Sequence, residues 1–142
     1  MSEVINNQRK IKIEAERFQK FIDEAIEIVP EARGKSATIA FISDRKMREL
    51  NKNFRGKNAT TDVLSFPFEA DEFETESEDN LGDIVISLEQ AQRQAEENNL
   101  DFEIEIKQLI LHSVLHLCGY DHETDAGEMN EIELRLRKKL GI

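Results

Sequence analysis

A single cysteine, Cys118, leaves this sequence without the means to build an intramolecular disulfide framework. No run of eighteen or more apolar residues is present, which excludes a helical membrane span. The first residues, Met-Ser-Glu-Val-Ile-Asn-Asn, lack the basic and then apolar regions of a secretory signal. These absences lead us to expect a soluble, cytoplasmic protein with no membrane partner. Basic residues are also in deficit, 19 Lys and Arg against 30 Asp and Glu, for a net charge of −11. That balance weighs against non-specific nucleic-acid binding, which depends on clustered cations, and no DNA partner is expected. The 142 residues suit a single domain, 1–142, with one ordinary core.

The charge is unevenly spread. Between Asp44 and Lys57 six basic residues (Arg45, Lys46, Arg48, Lys52, Arg55 and Lys57) face two acidic ones. From Glu69 to Asp79 there are seven acidic residues and no basic one. A local basic surface therefore coexists with an acidic total, although charge runs of this kind also serve as plain solvated faces.

Apolar residues at helical spacing predict a helix over 14–29, closed by Pro30, after a short edge strand within 3–13. Ala37–Ile42 reads as a strand, and Ser43 or Asp44 caps a second helix with Met47 and Leu50 inward. Residues 54–62 read as a loop and 63–68 as a strand that Pro67 places at an edge or ends. The acidic stretch through Asn80 is expected to be a mobile excursion. A strand at 81–87, a helix from Ser87 to about Asn98, a helix over 102–118 and an amphipathic helix over 125–140 complete the chain. The order β-α-β-α-β-β-α-α-α predicts an α+β fold, a small mixed sheet of about four strands packed with helices.

All three histidines lie in one stretch, His112-Ser-Val-Leu-His116-Leu-Cys-Gly119-Tyr-Asp-His122. Residues four apart share a helix face, so His112 and His116 can present two imidazoles to one point. Glu105 and Gln108 continue the same polar stripe along an otherwise apolar helix. Gly119 permits a sharp left-handed exit that can return the chain with His122 as a third ligand. Three nitrogens and an open position describe a catalytic zinc site, because structural zinc usually closes four ligands. The register matches that of zinc-protease helices of the metzincin type. In a zincin, however, Glu follows the first histidine and deprotonates the water. Here that residue is Ser113, which cannot act as the base, so peptidase chemistry is disfavoured. Cys118, two residues past His116, points away from it and is expected to pack.

This stretch resembles the His-Gly-x-Leu-His-Leu-x-Gly-Tyr-Asp-His signature of the YbeY family of bacterial rRNA maturation factors. Two further blocks resemble that family in the same order: Asn53-Phe-Arg55-Gly-Lys57 with Thr61-Asp-Val-Leu-Ser65-Phe-Pro-Phe68, and Leu81-Gly-Asp-Ile-Val-Ile-Ser87. The departure is Ser113 where the family usually has Gly, a small change expected to be tolerated. The resemblance implies a metal-dependent endoribonuclease specific for single strands, acting in 16S rRNA 3′-end maturation and ribosome quality control. It implies one zinc ion on His112, His116 and His122, with Arg55 as the other functional residue. Single-stranded RNA, 16S rRNA and ribosomal or small-subunit proteins become the expected partners. On that reading Arg55 and His112 are the catalytic residues, and Arg55, Lys57, Thr61 and Ser65 are the RNA contacts. Thr61 and Ser65 can equally terminate their loop and strand, and Asp121 can orient a histidine or cap the turn. A different class also stays open: a non-catalytic ribosome assembly factor with a structural metal site, docking through the basic 45–57 surface.

Overall fold

A computed structural model of the chain describes residues 2–68, 79–121 and 126–142. The order of elements is that expected from the sequence: β1 (Glu3–Asn6), α1 (Ala15–Ile28), β2 (Ser36–Ile42), α2 (Asp44–Arg55), β3 (Val63–Pro67), β4 (Asn80–Ser87), α3 (Leu88–Glu97), α4 (Phe102–Leu117) and α5 (Glu128–Leu140). Most of the acidic stretch, and His122, lie outside the described residues. The strands form one sheet in the order β1-β2-β4-β3. β1, β2 and β4 run parallel, and β3 pairs antiparallel to β4 at the edge. The mixed sheet and five helices make this an α+β fold.

Alternation along the strands divides the apolar residues between two faces. Ile39 and Phe41 of β2 and Ile84 and Ile86 of β4 belong to the main core with α1, α3, α4 and α5. Ile42, Val85 and Leu64 belong to a smaller cluster closed by Met47 of α2. Helices therefore cover both faces, and among the described residues α2 covers the second. The same alternation aligns Val63 and Ser65 of β3 with Ile86 and Ile84, on the side of the main core. Phe66 lies on the opposite side, packed against the smaller cluster.

The short edge strand expected within 3–13 is β1, four residues paired parallel with β2. One boundary differs from the expectation. The loop expected from Phe54 starts later. α2 continues through Arg55 and stops at Gly56, whose φ of 68° is left-handed. Its start is capped by the Ser43 hydroxyl, which accepts the Lys46 amide hydrogen.

Where β4 pairs with β2 it carries one extra residue: Ser36 faces Asn80, but Ala37 faces Gly82. Gly82 has φ 134°, and a Cβ there would overlap the carbonyl oxygen of Phe66 and lie 2.9 Å from Phe68 N and Pro67 Cα. The edge strand can lie close to β4 only because position 82 has no side chain. Gly82→Ala is expected to cost about 3 kcal/mol or more, from steric overlap together with backbone strain. In a domain of this size that lowers the melting temperature by roughly 10 °C, and a thermal melt of the variant checks it.

Candidate active site

The site forms between α4, the edge strand β3 and the segment joining α2 to β3. α4 is mostly buried, with Ile106, Ile110, Leu111, Val114 and Leu115 in the core. The histidines of its polar stripe face a cleft. On that stripe the Nε2 atoms of His112 and His116 stand 2.9 Å apart. Ser113 is fully buried, and its hydroxyl has no hydrogen-bond partner among the described residues. The residue at which the chain departs from the family signature thus faces the core and not the cleft.

A cavity of about 530 Å³ opens in front of the two imidazoles. Arg55, Thr61, Ser65 and Asp121 line it together with His112 and His116. Residues separated by some sixty positions in the sequence therefore meet in one space. Lys57 is exposed and does not line this cavity. Hydrogen bonds hold the loop between α2 and β3 at both ends. Asn51, buried on α2, donates its amide to the Ala59 carbonyl at 2.8 Å, and the Lys57 amide bonds back to the Asn51 carbonyl. Thr60 bonds to Asp44, which also accepts from Ser87 at 2.6 Å and Arg93 at 2.5 Å. Burial opposes ionisation of Asp44, but these donors outweigh it and hold its carboxyl below the usual range.

The Thr61 hydroxyl bonds to Asp62 Oδ1 at 3.3 Å, and the same oxygen accepts the Val63 amide at 2.8 Å. Asp62 is thereby the turn that delivers β3 to its partner, with the Asp62 carbonyl accepting from Ser87 N. With the amide turned so that its nitrogen faces the carboxylates, Gln94 donates to Asp62 Oδ2 and Glu105 Oε1 at 3.1 Å each.

The sequence reading passed over Glu133. On α5, Met129, Glu133 and Leu136 are the buried positions. Glu133 Oε1 lies 2.5 Å from His112 Nδ1, and Oε2 accepts from Arg137 at 3.2 Å. A carboxylate on Nδ1 places that nitrogen's proton toward Glu133 and leaves the Nε2 lone pair facing His116. The signal in the sequence was a charged residue on the inward side of an amphipathic helix, where an unpartnered carboxylate would be costly. Asp62, Glu105, Glu133 and Arg137 line a second cavity of about 280 Å³ on the far side of His112.

The arrangement of donors suits a metal of zinc's kind. Two bonds of about 2.0–2.1 Å meeting tetrahedrally hold their nitrogens roughly 3.3 Å apart, within a few tenths of the separation seen here. Among the described residues there is no cluster of three or more His, Cys, Asp or Glu able to hold a metal; the expected third ligand, His122, lies outside them. Cys118 packs against the core, and burial raises its thiol pKa to about 11, so it is not poised as a thiolate ligand.

A family model described as Endoribonuclease YbeY matches residues 3–141. The chain belongs to the YbeY endoribonuclease family. Similar proteins carrying the YbeY name include one from Clostridioides difficile (strain 630), 40% identical with 96% of this chain and 94% of the relative covered. One from Desulforamulus reducens is 41% identical, with 100% and 99% covered. A solution structure from Thermotoga maritima shares the fold, with a TM-score of 0.67, 26% identity and coverage of 99% of this chain and 89% of that one. The resemblance read from the three sequence blocks therefore holds across the YbeY domain.

Glu105, buried on the histidine helix, has its pKa raised from the ordinary 4.5, first by burial and then by the neighbouring Asp62, with Arg137 opposing. A carboxyl with a raised folded pKa binds protons more tightly folded than unfolded, so its stability cost grows as pH rises from about 4.5 through the folded value. Glu105→Gln removes that cost while keeping an oxygen for Gln94. The variant is expected to melt a few degrees above wild type at pH 8, with the gap closing near pH 4. Thermal melts across that range check the sign.

Proposed function

We propose that this chain is a metal-dependent endoribonuclease that cuts single-stranded RNA, acting in the cytoplasm in 16S rRNA 3′-end maturation and ribosome quality control. Membership of a family whose relatives bear the name endoribonuclease supports the RNA-cutting part of this reading. The observation that carries it is the meeting of Arg55 with His112 and His116 in one cavity. The 16S rRNA and small-subunit proteins are its proposed partners.

In this reading His112, His116 and His122 hold one zinc ion. The chemistry such an ion supplies is Lewis acidity, which polarises a phosphoryl oxygen and lowers the pKa of water at the site. The residues of the chain do the rest. Glu133, braced by Arg137, keeps a proton at His112 Nδ1 and fixes the direction of its Nε2. Arg55 lies at the end of α2, so its guanidinium can approach a phosphate in the cavity and share two oxygens in a forked pair of hydrogen bonds. Phosphodiester cleavage builds negative charge on those oxygens, and a fixed cation favours that state over the ground state. Thr61 and Ser65 offer hydroxyls along the cavity wall for phosphate or ribose. Lys57, outside the cavity, serves a neighbouring phosphate.

The test is cleavage of a defined single-stranded RNA by zinc-loaded wild type, His112→Ala and Arg55→Ala, with metal content measured for each. Wild type is expected to cut. Arg55→Ala should keep its metal and lose roughly 10²–10³ in rate, the usual loss for one transition-state donor. His112→Ala should lose both metal and activity. Equal cleavage by all three preparations would point to a contaminating nuclease and sink the assignment.

A further inference from the structure

We infer that Phe54 is a stacking platform for one base of single-stranded RNA, beside the phosphate that Arg55 meets in the cavity; this rests on the nuclease reading above. Phe54 is the most exposed of the large hydrophobic side chains described, at 65%, while Phe68 is 38% exposed. It sits in the last turn of α2, immediately before Arg55. Among the described residues its aromatic contact is Phe66, edge to face, with ring centroids 5.1 Å apart. Phe66 lies between Ser65 and Pro67, both of which line the histidine cavity. The ring is therefore tied to the strand that walls the cavity, on that strand's other face.

Covering the small core does not account for it. Met47 is fully buried and Leu50 half-buried on the same helix, but Phe54 leaves most of its surface in water. A ring held by an edge contact to a second ring keeps a face for another planar group. The surrounding charge indicates which one. Arg45, Arg48, Lys52, Arg55 and Lys57 are exposed and form no salt bridge with a described residue. The two acidic residues of α2 are engaged, Asp44 with Arg93 and Glu49 with Lys46. On a chain of net charge −11 this is a local cationic surface around an exposed aromatic. Cations follow a sugar–phosphate backbone and aromatic faces take unpaired bases, the combination by which single strands are bound with little sequence preference. A duplex offers no free base face, so the platform would also select single strands.

The sequence contains no tryptophan. Phe54→Trp therefore introduces a single tryptophan at the platform, to be excited selectively beside Tyr120. Its fluorescence is expected to be quenched when single-stranded RNA is added, and not by an abasic ribose-phosphate oligomer of equal length. Cleavage kinetics on the same RNA should leave Phe54→Trp at or above wild type. Phe54→Leu, which keeps apolar packing on Phe66 but has no π face, should lose about 5- to 150-fold in kcat/KM at unchanged melting temperature, the range expected for losing one stacked base. Phe54→Leu with wild-type kinetics, or equal quenching by the abasic oligomer, overturns the platform and leaves the nuclease reading standing. Quenching without cleavage by any variant keeps the platform and removes the nuclease. Neither quenching nor cleavage removes both.

Discussion

The contact between Glu133 and His112 ties the last helix to the centre of the site. A carboxylate this deeply buried is tolerated only with strong partners, since removing one would leave a charge without compensation. Glu133 pairs with His112 through one oxygen and with Arg137 through the other. α5 must therefore dock on α4 in the register that brings Glu133 to Nδ1, and His112 must hold the ring orientation that this bond selects. Packing of Met129 and Leu136 into the main core supplies the apolar part of the same docking. Fold and site share one interaction, so disturbing either disturbs both.

The other side of the cavity depends on backbone reach. β3 is an edge strand and cannot be held by neighbours on both sides. It lies close over Gly82, and the Asp62 turn starts it with bonds to its own amides and to Ser87. The loop before it is pinned to α2 by Asn51 and to the α3 end by Asp44 through Thr60. With both ends tied, Arg55 is delivered from the capped end of a rigid helix instead of a free loop. In the proposed role for Arg55 such placement helps, because no reorganisation is left to the moment of reaction. The same helix end exposes Phe54 and the neighbouring cations, so recognition and charge stabilisation would issue from one element.

Acidic groups crowd behind the histidines. Asp62, Glu105 and Glu133 share a small cavity with Arg137, and Gln94 bridges two of the carboxylates. Their negative potential favours a cation in front of His112, which is the electrostatic condition a metal site requires. Arg137 keeps that potential from becoming prohibitive to the fold.

By itself the sequence determined the elements and the stretch that carries the histidines. Apolar spacing, strand-forming runs and helix-forming composition located the nine elements of the described residues, Ser43 marked a helix start, and His112 and His116, four residues apart, could only share a helix face. These are local properties, set by helical and strand periodicity within a few residues of chain. The motif blocks carried Arg55 and the family as well. Tertiary structure alone decided what faces those side chains: that Arg55 enters the cavity while Lys57 stays outside it, that Ser113 points into the core, and that Glu133, twenty-one positions away, grips His112. The reason is physical. Which two distant side chains meet depends on how helices and strands stack against one another, and a residue's own neighbours in sequence carry no record of that geometry.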